Sequence, residues 1–153
     1  LPILEESIIA VKASLFSSGD GCCWKITIGE SFIWLFVGII GTLYPFEISS
    51  RRTCDLISSG LGWVSDGRVY PNRDPQGWTT FEQTQGGETL YFHLRGPALS
   101  MYSVQKKRKF TIYVNALHDD KFIHFAFGTG RSHQVKLEKL TKEEEEEIAC
   151  IFL

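Results

Sequence analysis

The sequence predicts an all-β protein, an antiparallel β-sandwich around one core. Three observations carry that expectation. The residue mix favours strands, with 11 Phe, 5 Tyr and 4 Trp against a single Met in 153 residues; aromatic and β-branched side chains pack well on a pleated surface. Short alternating segments recur along the chain, divided by turn chemistry that 14 glycines supply. Finally, 43% hydrophobic residues with a net charge of −2 exclude a disordered chain, and this length holds one sizeable core, not two.

Cys22–Ile28 is the first clear strand, with Trp24, Ile26 and Ile28 on one face and Lys25 and Thr27 on the other. Adjacent Cys22 and Cys23 then point to opposite faces and read as reduced thiols of an intracellular protein. Gly29–Ser31 turns the chain into Phe32–Ile40, and the two strands are expected to form an antiparallel hairpin. The apolar run from Phe32 to Gly41 is half the roughly 20 residues a membrane helix needs. It is expected to be a central strand buried on both faces. Thr42–Ser59 is polar, holds Pro45, Arg51 and Arg52, and reads as a long loop.

Leu61–Trp63 is followed by Asp66-Gly67, a hairpin-turn pair, then Val69-Tyr70 and a loop over Pro71–Pro75. Gly86-Gly87 precedes a strand at Thr89–Leu94. Ala98–Val104 and Lys109–Val114 flank the basic turn Gln105–Arg108. Lys121–Phe127 and His133–Glu138 are expected to form the last hairpin, around Gly128-Thr-Gly130. Only Leu140–Leu153 has helix-friendly composition. The expected organisation is a sandwich over residues 1–140 and an acidic tail with an apolar terminus over 141–153. A chain that starts at Leu1 is expected to be the C-terminal piece of something larger, or a processed product.

Several function classes find no support in these residues. Glu143–Glu147 supply five of the 18 acids, leaving 13 against 16 bases, too mild an excess for a nucleic-acid surface. Cys22, Cys23, Cys54 and Cys150 make no CxxC pair and the four His are scattered, so no zinc or other cofactor is expected. No nucleophile elbow, HExxH or phosphate loop occurs, and no enzyme is expected. Residues 1–16 carry Glu5, Glu6 and Lys12 where a secretory signal would be apolar. The run Lys106-Lys-Arg-Lys109 reads as a solvated turn that keeps a sheet edge from pairing, with a contact for phosphate or an acidic partner as the functional alternative, and the glutamate run as a solvated helix face or tail. The last four residues match a C-a-a-X prenylation signal at Cys150, so a membrane enters the reading only through lipidation there.

The order of the pieces resembles SPRY domains. Trp24–Ile28, a turn, and Trp34-Leu-Phe-Val-Gly38 are similar to that family's opening pair of strands. Gly62-Trp63, Gly67-Arg-Val-Tyr70 and Gly77-Trp78 resemble its middle. Gly87-Glu88 leading into Leu90–Leu94, Leu99-Ser-Met-Tyr102, Phe122–Phe127 and Val135–Leu137 are similar to its later strands. Within the family, the C-terminal domains of some tripartite-motif proteins are the nearest in pattern, although the L-D-P motif and the aspartate of the G-D strand are absent here. The resemblance implies a non-catalytic module that recognises a protein or peptide in the cytoplasm, selecting partners or substrates for an attached region such as a ubiquitin ligase.

Loop aromatics and arginines supply most interface energy. On that ground Tyr44, Arg51, Arg52, Arg68, Tyr70, Arg73 and Trp78 are the candidate contact residues. A lectin-like sandwich binding a glycan through Asn72, Arg73, Asp74 and Trp78 is the alternative. A hydrolase using Asp66, Asp74 and Glu82 lacks an identifiable acid/base partner.

Overall fold

The computed structural model describes residues 3–5, 9–19, 21–29, 35–41, 60–64, 68–70, 74–75, 87–113, 121–127 and 134–152. They form two antiparallel sheets packed face to face. The first contains β1 (Ile3–Glu5), β3 (Ser17–Ser18), β4 (Gly21–Ile28), β9 (Thr89–Arg95), β10 (Ala98–Ser103), β11 (Arg108–Tyr113) and β13 (Gln134–Glu138), in the order β1-β13-β4-β9-β10-β11 with β3 beside β4. The second contains β2 (Ile9–Lys12), β5 (Leu35–Gly41), β6 (Gly60–Val64), β7 (Arg68–Tyr70), β8 (Asp74–Pro75) and β12 (Lys121–Phe127), in the order β2-β12-β5-β6-β7-β8. A 3-10 turn at Ala13–Phe16 and one helix, α1 (Lys142–Phe152), complete the described elements. The all-β sandwich expected from the sequence is the observed architecture. No helix among the described residues is long and apolar enough to cross a membrane.

Alternation builds the core. Trp24, Ile26 and Ile28 of β4 face inward beside Leu90, Phe92 and Leu94 of β9, and meet Leu35, Val37, Ile39 and Trp63 of the opposite sheet. The Phe92 ring lies 5.4 Å from Trp24 within its own sheet, stacked, and 6.3 Å from Trp63 across the sandwich. β5 sits between β12 and β6, and Leu35 through Ile39 are buried on both faces. The central-strand expectation therefore holds over the described part, while residues 32–34 lie outside it.

Two expected hairpins are corrected. β4 and β5 belong to different sheets, as do β12 and β13, so each connection crosses the sandwich. β4 pairs with β9 and β13, and β5 with β12 and β6. Alternation tells which face of a strand is apolar but not which strand lies beside it. The hairpins at β6–β7, and at β10–β11 around the basic turn, do form. Asp74-Pro75, expected within a loop, instead forms the short edge strand β8. An edge tolerates proline because it need not donate to a neighbour.

Candidate functional site

Of the seven candidate contact residues, Tyr44, Arg51, Arg52, Arg73 and Trp78 lie outside the described residues. Arg68 and Tyr70 lie on β7, paired with Pro75 and Gly62 respectively. The strand order nevertheless locates the ends from which the loops depart. β5 runs out at Gly41, β6 enters at Gly60, β7 runs out at Tyr70, β8 enters at Asp74 and β12 enters at Lys121. Antiparallel pairing puts these five termini at one end of the second sheet. Connections 42–59 and 71–73 thus begin and end at a common rim, and 114–120 arrives there from β11 of the other sheet. Tyr70 stands at that rim, and Arg68 at the other end of its short strand.

The basic turn is not a free charged patch. Lys106 reaches back to Glu88, with Nζ 3.2 Å from Oε1 and 3.3 Å from Oε2. Glu88 is only 1% exposed and also accepts a 2.5 Å hydrogen bond from Ser103 Oγ, itself fully buried. The Lys106 backbone N–H donates to Ser103 Oγ, and the Thr89 N–H donates to Gln105 Oε1. These bonds fasten segment 87–89 to turn 103–107. Serine and carboxylate are both shut off from solvent, so the cluster's polar groups are spent on holding the two segments together. Arg108 lies over the Phe110 ring, 5.1 Å from its centroid, and Lys109 Nζ donates to the Ile151 carbonyl oxygen. The run lies at and beside the edge strand β11, as expected of residues that protect an edge.

The acidic segment is helical and covers the outer face of the first sheet. Thr141 and Glu144 form a capping box: Thr141 N–H donates to Glu144 Oε1, and Glu144 N–H to Thr141 Oγ1. The other carboxylate oxygen, Oε2, accepts from Lys25 Nζ at 2.8 Å and from the Tyr91 hydroxyl at 3.3 Å. Ile148, 3% exposed, packs with Cys23 and Tyr91, and Ile151 and Phe152 extend the apolar cluster. Phe152 stacks on His93 at 5.6 Å. Cys150 is exposed in the last turn, between these docked residues. Among the described cysteines, Cys22, Cys23 and Cys150 form no disulfide.

Burial pushes the Tyr91 hydroxyl up to about 12, assisted by the negative charges of Glu144 and Glu147 and by its bond to Glu144, so it remains a donor. Burial also acts to raise Glu144, but the Lys25 ammonium and the Thr141 bonds outweigh it and hold the carboxyl below its ordinary 4.5. A carboxyl depressed in the folded state stabilises above its unfolded value, and that contribution fades as pH falls through the folded value. Glu144→Gln is therefore expected to cost about 1 kcal/mol at pH 7, through a charge-assisted bond and ion pair at partial burial. The difference from wild type should shrink below about pH 4.5 and vanish at lower pH. Urea melts of both proteins from pH 7 to 3 check this, and a pH-independent difference would refute it.

The capping box was legible as Thr141-Lys-Glu-Glu144 ahead of an apolar run, a signal the compositional reading passed over. Glu88 carried no such local signal, because its partners lie 15 and 18 residues away and meet it only through strand pairing. Among the described residues, no three His, Cys, Asp or Glu gather into a metal-ligand set. Neither a protein-family model nor a curated protein matches this chain.

Proposed function

We propose that the chain is a non-catalytic recognition module of SPRY type, a cytoplasmic partner- or substrate-selecting domain of a larger, ubiquitin-ligase-type protein. The observation that supports the reading best is the common rim of the second sheet. A rigid sandwich delivers three connections to one end, two of which carry Tyr44, Arg51, Arg52 and Arg73. Segments that join the strands of a sandwich at its ends are where recognition concentrates. Arginine beside aromatic rings favours an acidic or aromatic peptide, through bidentate and stacking contacts.

Selection from a displayed random-peptide library tests this reading. Acidic or aromatic peptides are expected to be enriched. The Arg52→Ala/Arg73→Ala variant should bind them at least about tenfold more weakly with an unchanged melting temperature, because interface truncations cost far more in binding than surface changes cost in folding. Equal affinity of the double variant would place recognition elsewhere. Failure to enrich peptides, with binding on a glycan array, would favour the lectin-like alternative.

A further inference from the structure

The outer face of the first sheet has the character of a built helix site. Pairing register sets Lys109, Tyr102, Tyr91 and Lys25 in one row across β11, β10, β9 and β4. α1 crosses these strands along that row. Its first turn is held at Lys25 through Glu144, and its last at Lys109 through the Ile151 carbonyl and at His93 through Phe152. Between them, Cys23, Tyr91, Tyr102 and Val104 form an apolar floor for Ile148. The face thus reads a pattern: a Glu in the first turn, an apolar residue four positions on, and two more at seven and eight positions, all on one helical stripe.

The segment that fits the face has little helical stability of its own. Eleven residues fall below the roughly 12–15 at which isolated helices become even marginal. Glu143–Glu147 place like charges at the i,i+3 and i,i+4 spacings, where they repel, and the last turn holds no basic residue. The sheet face supplies what the helix lacks, with cations at both ends and an apolar floor between them. It acts as a template on which an acidic segment becomes helical.

We propose that this face is a second recognition surface, for an acidic amphipathic segment of another protein that folds into a helix on it, and that α1 is the intramolecular occupant such a partner displaces. Charge complementarity argues for this occupant, because lysines stand at both ends of a track that an acidic helix fits. The proposal does not depend on the loop rim. Tethering gives α1 a local concentration in the millimolar range, so the intact chain keeps its own helix until it is weakened or outcompeted.

The test uses a fluorescent, end-blocked peptide of residues 139–152 and full-length protein. Wild-type protein is expected to show no binding at micromolar concentrations. Ile148→Asp, which undermines the α1 anchor, should raise the peptide's anisotropy with half-saturation in the range of roughly tens of micromolar. Adding Lys25→Glu should weaken that binding at least about tenfold, and a Glu144→Lys peptide should recover it. If Ile148→Asp retains the near-ultraviolet aromatic signal of the wild type yet fails to bind, or if binding ignores the Lys25 charge, the proposal is overturned. Should Ile148→Asp lose that signal, Thr141→Ala/Glu144→Gln takes its place and is held to the same outcomes. A wild-type dimer that the peptide dissociates would make the occupant a second copy's α1 and overturn the assignment to a separate partner.

Discussion

Replacing Val37 with aspartate is expected to leave no stably folded protein. Val37 is 0% exposed, lies on the central strand of the second sheet, and packs in the core between the two sheets. A carboxylate there loses its water, and the surrounding core residues are apolar. The penalty is several kcal/mol, either as a buried charge or as the cost of protonating it, and the methyl packing is lost as well. Against a total stability of roughly 5–15 kcal/mol, that empties the native state or brings it close to the edge. Circular dichroism and proteolysis of the purified variant provide the measurement. A soluble protein with an unchanged melting temperature would remove Val37 from the core.

Alanine at Gly38 or Gly62 should be nearly as damaging, for a different reason. The two glycines face each other directly across β5 and β6. A Cβ on Gly38 would lie 2.7 Å from the Gly62 Cα and still closer to the Leu61 carbonyl oxygen. A Cβ on Gly62 would meet the Val37 carbonyl oxygen, the Gly38 Cα at 2.7 Å and the Phe36 ring at 3.0 Å. The obstruction is mostly backbone, so no side chain can swing aside, and the strands must part in the middle of the sheet. Overpacking a core costs about 1–3 kcal/mol where side chains adjust. Here about 3 kcal/mol or more is expected, a fall of roughly 10 °C in melting temperature for a chain of this size. A shift within about 2 °C would show that the strands do not approach so closely.

Much of the fold was legible because alternation is a local property. The faces of β4 follow from Trp24, Ile26 and Ile28 against Lys25 and Thr27, and the burial of β5 from its unbroken apolar run. Pairing is not local. Nothing within Cys22–Gly41 says that its two strands part company into different sheets. β1 and β2 also escaped notice, since three or four residues are too few to display a period. Gly38 lies inside the strand, and its reason for being glycine is a partner more than twenty residues away that no local pattern announces. Of the candidate sites, the sequence named residue types suited to recognition, and the strand order supplied the rim. The docked helix needed both, since Glu144 is visible as a cap, but Lys25 joins it only across the completed sheet.

The pairing of first strands with last has a consequence for synthesis. Among the described residues, β1 pairs with β13 and β2 with β12. A ribosome adding roughly 5–20 residues per second takes on the order of ten seconds to travel from one member of each pair to the other. For that interval β1 and β2 lack the strands they pair with among the described residues. Contacts so distant in sequence slow closure further, since the entropy of the intervening chain must be surrendered before they form. The N-terminal strands of this sandwich are therefore secured only when its C-terminal strands have been made.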